Sequence, residues 1–211
     1  VGSEMCIRDR CDSCIVSPEK CHYAAGTCRE PEWGEQHCMI DHIVYLANTS
    51  GLKVGITRGT QVPTRWMDQG ATQARPVFRV DTRLHSGLVE TEFSNHIADK
   101  TNWRAMLKGE AEAVDLEAAR GRLMADCAAE LDSLWQAHGL QAITVLEDEP
   151  ETSIRYPVLE YPQKVSSFNL DKNPTAGGTL LGIKGQYLIF DAGVINMRKY
   201  GGYRLSLHVE A

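Results

Sequence analysis

From His42 onward the chain runs through short strand-like and helix-like patterns in a regular order. Two apolar runs, residues 43–47 (Ile-Val-Tyr-Leu-Ala) and 52–57 (Leu-Lys-Val-Gly-Ile-Thr), flank Asn48-Thr49-Ser50-Gly51. That turn composition between two such runs predicts a β-hairpin, which sets Tyr45 beside Lys53 and Gly55 on adjoining strands. Residues 63–68 predict a short helix, with Gly70 just beyond its end. Residues 77–83 alternate as a half-buried strand, and residues 88–97 carry Leu88, Phe93 and Ile97 at helical spacing. The order is therefore β-β-α-β-α. Residues 110–138 predict one long helix, with Leu116, Leu123, Cys127, Leu131 and Trp135 on a single stripe and Gly139 at its end.

Beyond Gly139 the pattern changes to short strands between Pro- and Gly-containing connections, at residues 142–146, 164–170, 179–183, 187–190 and 203–209. They predict a small β-barrel or sandwich, OB-like in character. The fold class is α+β, in three parts: a cysteine-rich segment at 11–41, a core domain at 42–139 and a β-domain at 140–211. Residues 1–10, VGSEMCIRDR, read like translated sequencing adapter. They are set aside together with Cys6, and the expectation is that the natural N-terminus differs.

Composition adds few constraints. With 211 residues of which 43% are apolar, the chain has enough material for a buried core. No stretch has the length or apolarity of a membrane span or the layout of a secretion signal, so the expected location is the cytoplasm, with no membrane partner. The net charge of −6 disfavours indiscriminate phosphate binding. Residues 53–83 run the other way, with Lys53, Arg58, Arg65, Arg75, Arg79 and Arg83 against Asp68 and Asp81. They predict a locally basic face, which an ordinary solvated surface would also fit.

Five of the seven cysteines fall in residues 11–38, spaced C-x2-C-x6-C-x6-C-x9-C. Without a secretion signal, such crowding points to metal before disulfides. Structural zinc is the expected cofactor, with Cys11 and Cys14 as a knuckle and Cys21, Cys28 and Cys38 as further ligands beside the alternatives His22 and His37. Cys127, inside the long stripe, reads as a small buried hydrophobe. Lys184 with Tyr187, and Arg198 with its neighbouring aromatics and glycines, suit a groove for DNA or RNA and equally suit glycine-turned hairpins. Trp66 and Trp103 read as packing anchors more readily than as stacking platforms.

The order of elements, the VY of the first strand, the KVGIT of the second, an arginine in the next helix and a glutamate in the one after it resemble the GIY-YIG nuclease superfamily. The phage-type branch with a KIG-like second motif is the nearer likeness. The flanking cysteine-rich text and GIKGQYLIF resemble an uncharacterised bacterial family. The first resemblance implies a β-β-α-β-α-α core and a magnesium-dependent phosphodiesterase or endonuclease acting on DNA or RNA. Tyr45, Lys53, Arg65 and Glu90 become its candidate catalytic residues. Hydrolysis of a phosphodiester needs a positioned water, a cation for the developing charge and a carboxylate-held divalent ion. Tyr45 with Lys53 would orient the water, Arg65 would supply the cation and Glu90 would hold Mg²⁺. Arg58, Arg79, Lys184 and Arg198 are the candidate nucleic-acid contacts. The alternative reading is a non-catalytic, zinc-stabilised module that binds nucleic acid or protein.

Overall fold

In the computed structural model, residues 13–98 and 100–209 are described. Cys11 and the segment 1–10 lie outside that range. The hairpin is present as β1 (His42–Asn48) and β2 (Leu52–Arg58), in antiparallel register with Tyr45 opposite Gly55 and Ala47 opposite Lys53. Gly51, in the turn, has φ of 139°, a conformation that favours glycine. A short helix α2 (Thr64–Asp68) follows the hairpin, and α1 (Pro31–His37) precedes it.

Strand β3 (Gln73–Val80) starts earlier than its alternation suggests and stops before Arg83. Thr82 caps the next helix by accepting from the His85 N–H at 3.2 Å, so α3 (Arg83–Ser94) begins well before the first apolar residue of its periodic run. After α4 (Trp103–Met106), the single long helix expected for residues 110–138 is two helices, α5 (Leu116–Asp126) and α6 (Ala128–His138). They break at Cys127, which is buried at the corner with its Sγ 3.8 Å from the Glu92 carbonyl of α3. A continuous apolar stripe predicts buried faces and is silent about a bend between them.

Three strands expected in the C-terminal part need correction. Residues 143–145 form β4, which pairs with β3 of the core, as does β5 (Thr152–Ser153), giving a sheet of order β2-β1-β3-β4 with β5 at the other end of β3. Residues 164–170 contribute only an isolated bridge, Ser167 to Val194, and residues 203–209 form no strand. What remains is an open meander of β6 (Leu180–Lys184), β7 (Tyr187–Phe190) and β8 (Gly193–Asn196), in place of the expected barrel or sandwich.

The core sheet is covered on one face by α3, α5 and α6. Val44, Leu46, Val54 and Phe78 meet Val89, Phe93, Leu116, Leu123 and Leu131, all buried. A second cluster on the other face gathers Tyr45, Ala47, Trp66, Ala71 and Ala74. The meander shares a third cluster with α4, in which Met106 and Leu107 pack on Tyr187, Ile189 and Val194, and Trp103 stacks on Tyr187 at 5.7 Å. Both tryptophans singled out in the sequence are thus packing residues: Trp66 is buried and Trp103 half-buried. Gly185 lies against the backbone of Asp68 and Gly70, where a Cβ would approach the Asp68 carbonyl to 2.8 Å. The meander therefore rests on the end of α2. Among the described residues no helix is long and apolar enough to cross a membrane.

Candidate functional site

Tyr45 is fully buried, and its ring lies over Gly55 on the neighbouring strand. A Cβ at position 55 would come within 2.7 Å of the phenol oxygen, so the pair depends on glycine. The Tyr45 hydroxyl donates to Gln69 Oε1 at 2.9 Å, just past α2. Burial pushes its pKa up to about 12; Arg65, in hydrogen-bonding reach, and its positive charge pull the other way, and the Glu90 carboxylate adds a smaller upward push. Arg65 and Glu90 thus both bear on the charge of this phenol, Arg65 through a hydrogen bond and its charge and Glu90 through its charge alone. A tyrosine with that pKa is protonated at neutral pH, so it donates and orients rather than acting as a base. Lys53 shares this sheet face through its pairing with Ala47 and is 4% exposed.

Arg65 also faces outward into a cleft of about 520 Å³. Arg58, Arg65, Arg83 and Arg198 line it, with Asp68 as the one carboxylate among its described lining residues. Each arginine comes from a different place: the end of β2, α2, the start of α3, and the 3-10 turn Met197–Tyr200 after β8. Ile15 and Val16 of the cysteine-rich segment form part of the wall. Arg83 fastens that wall, donating from Nη2 to the Ile15 carbonyl at 2.8 Å and from its backbone N–H to the Cys38 carbonyl at 2.7 Å. Gly87 of α3 admits the segment closely, since a Cβ there would meet Pro18 and Glu19 at 2.6 and 2.5 Å.

His42 is buried, with Nδ1 2.7 Å from the Ile40 carbonyl and Nε2 without a hydrogen-bond partner among the described residues. Its pKa is lowered to about 4, chiefly by burial, with further lowering from the charges of Arg83 and Arg58. The ring is neutral at physiological pH, so it adds no charge of its own beneath the arginines.

The remaining sequence candidates are distributed differently. Arg58 and Arg198 line the cleft. Arg79 is exposed but not among its lining residues, and Arg75 pairs with Glu117 at 2.8 Å. Lys184, expected on a nucleic-acid groove, is fully buried; it donates to the Gly109 carbonyl at 2.9 Å and lies 5.0 Å from the Tyr161 ring centre. Burial lowers its pKa, and its ammonium fastens the meander to the core instead of meeting solvent. Sequence reasoning did not place Arg83 or Gln69 in the site. Arg83 was read as the end of a strand, and nothing local marks Gln69 as an acceptor.

The family model described as "Protein of unknown function (DUF2797)" matches residues 3–205. The chain belongs to that family. No curated protein and no solved structure matches it. In this DUF2797 protein, Cys14, Cys21, Cys28 and Cys38 are all half-buried within the segment that walls the cleft. Among the described residues no group of three or more His, Cys, Asp or Glu side chains is arranged to hold a metal ion, and Cys11 lies outside them. The fit of zinc to this segment thus rests on the cysteine spacing. For magnesium, Glu90 is the carboxylate among the described residues whose charge reaches Tyr45. One carboxylate suits an ion which keeps several waters and takes its other oxygens from phosphate.

Proposed function

We propose that this DUF2797 protein binds nucleic acid, with the arginine-lined cleft holding the phosphodiester backbone. The observation that carries the reading is four guanidinium groups from four separate elements around one cleft, with a single carboxylate among its described lining residues, in a chain whose net charge is −6. Keeping so much positive charge together in an acidic protein costs self-repulsion, which a bound polyanion relieves. Guanidinium also matches phosphate through paired N–H donors.

The test is binding of fluorescent single- and double-stranded DNA and RNA across a salt series. Each phosphate neutralised adds about 0.7–0.9 to the slope of log K against log salt. Arg58→Ala and Arg198→Ala should each lower that slope by about one. A salt-independent affinity, or variants that bind like the parent, would end the proposal.

A second reading, phosphodiester hydrolysis, is favoured by one specific observation, the influence of the Arg65 and Glu90 charges on the Tyr45 phenol. In it, Arg65 neutralises charge on the transferring phosphate, and neutral Tyr45 donates a hydrogen bond that orients the attacking water. Glu90 would hold Mg²⁺, which supplies charge neutralisation at the phosphate oxygens. Glu90→Gln should abolish Mg²⁺-dependent cleavage and leave nucleic-acid affinity nearly unchanged; cleavage surviving in the variant would refute this role. Zinc on the cysteine-rich segment belongs to the same proposal, as the staple for the wall formed by Ile15 and Val16. Elemental analysis should find about one zinc per chain, with chelation loosening the segment.

A further inference from the structure

Away from the cleft, three titratable side chains stand in line where α3 meets α6. Asp81 precedes α3, His85 lies in its first turn, and His138 closes α6. His85 Nδ1 is 2.5 Å from an Asp81 carboxylate oxygen, and His85 Nε2 is 3.2 Å from His138 Nδ1. In the neutral tautomer that donates from Nδ1 to Asp81, His85 carries its lone pair on Nε2, the nitrogen near His138. The rings are tilted by 57° with centres 4.5 Å apart, closer than two imidazoles meeting end to end. The two nitrogens therefore meet at an angle instead of head to head.

Metal–nitrogen bonds of about 2.0–2.1 Å, at angles between tetrahedral and square, hold two ligating nitrogens about 2.9–3.4 Å apart. The separation of 3.2 Å falls within that span. A carboxylate on the far nitrogen of a ligating imidazole is the usual outer-shell arrangement, fixing tautomer and ring orientation. Asp81 and His138 are exposed, which gives an ion access from solvent.

We propose that His85 and His138 form a bidentate surface site for a divalent ion of the imidazole-preferring class, zinc, nickel or copper, with Asp81 as the outer-shell partner of His85. Binding requires only that His138 carry its proton on Nε2, which frees Nδ1. No third protein side chain among the described residues joins the site, so water completes the coordination and the ion exchanges readily. The ion would tie the start of α3, which also carries Arg83, to the end of α6.

The experiment uses the full chain, first saturated with Zn²⁺ and then dialysed against a weak chelator that strips a micromolar site, so that the thiols keep any zinc they bind and the histidine pair is emptied. Ni²⁺ is then titrated calorimetrically near neutral pH into the parent, His85→Ala, His138→Ala, Asp81→Asn and the exposed control His96→Ala. The parent should take up one further equivalent with micromolar affinity. Each of His85→Ala and His138→Ala should weaken it at least about tenfold, Asp81→Asn should weaken it by about tenfold, and His96→Ala should leave it unchanged. Ni²⁺ should also raise the melting temperature of the parent and not of the double variant, while without Ni²⁺ the two melt alike. No further equivalent in the parent, or equal affinity in the His85→Ala/His138→Ala double variant, would overturn the assignment.

Discussion

On one face of the core sheet, Val44, Leu46, Val54 and Phe78 lie beneath α3, α5 and α6, in a cluster that is aliphatic and aromatic apart from Cys127. On the other face the same strands present Tyr45 and Lys53, both buried, beside Trp66. Period-two alternation sends successive residues of one strand to these two environments. The first face gains by removing apolar area from water, about 25 cal/mol per Å². The second hides polar groups that destabilise unless each finds a partner, as Tyr45 does with Gln69. A protein that keeps such groups on one face of a sheet has traded stability there for placement, and that face leads through Arg65 to the cleft.

The comparison is broken most directly on the apolar side. Phe93, buried edge-on to Phe78 with ring centres 5.8 Å apart, has no part in the cleft. Phe93→Ala should cost about 3–5 kcal/mol in denaturant unfolding, with nucleic-acid affinity of the folded fraction unchanged. A change in affinity as large as the change in stability would show that the two faces are not separable.

Next in size is the pH response of His42, whose pKa falls from 6.5 to about 4 on folding. Above pH 6.5 the ring is neutral in both states and contributes no pH dependence. As pH falls from 6.5 toward 4, the unfolded chain takes up a proton that the folded one refuses, and stability declines by up to about 3 kcal/mol. Below about 4 that loss levels off. Comparing urea midpoints near pH 7 and pH 4.5 for the parent and His42→Leu isolates this part from the carboxylates, because the variant should lack it. Parallel pH profiles would show that His42 is not held neutral.

The smallest effect sharpens the contrast. Gly55→Ala brings a methyl group to 2.7 Å from the Tyr45 oxygen. The ring must shift, at a cost of about 1–3 kcal/mol, and the phenol leaves its place beside Gln69 and Arg65. This modest loss of stability should weaken nucleic-acid binding, whereas the larger loss from Phe93→Ala should not. Binding unchanged by Gly55→Ala would detach Tyr45 from the cleft.

Much of the core was legible from local chemistry. Two apolar runs around Asn48-Thr49-Ser50-Gly51 form the expected hairpin, and the β-β-α-β-α order that follows is present. The charges of Arg65 and Glu90, both singled out from the sequence, reach the Tyr45 phenol. What escaped was non-local. Residues 143–145 read as a strand, but their pairing with β3 depended on which sheet edge was open. The basic and aromatic neighbourhood of Lys184 suggested a surface groove; packing put the ammonium against the Gly109 carbonyl instead.

By itself the sequence determined the periodicities, the turn at Gly51, the placing of Tyr45 beside Gly55 and the clustering of cysteines before His42, because each depends on residues close along the chain or directly paired in one hairpin. Only the tertiary structure decided that Arg58, Arg65, Arg83 and Arg198 share one cleft walled by Ile15 and Val16. Local patterns show how a segment folds and which face it buries. Where distant segments meet is set by the competition of whole surfaces for the available edges and faces, and Arg198 lies 115 residues beyond Arg83 along the chain.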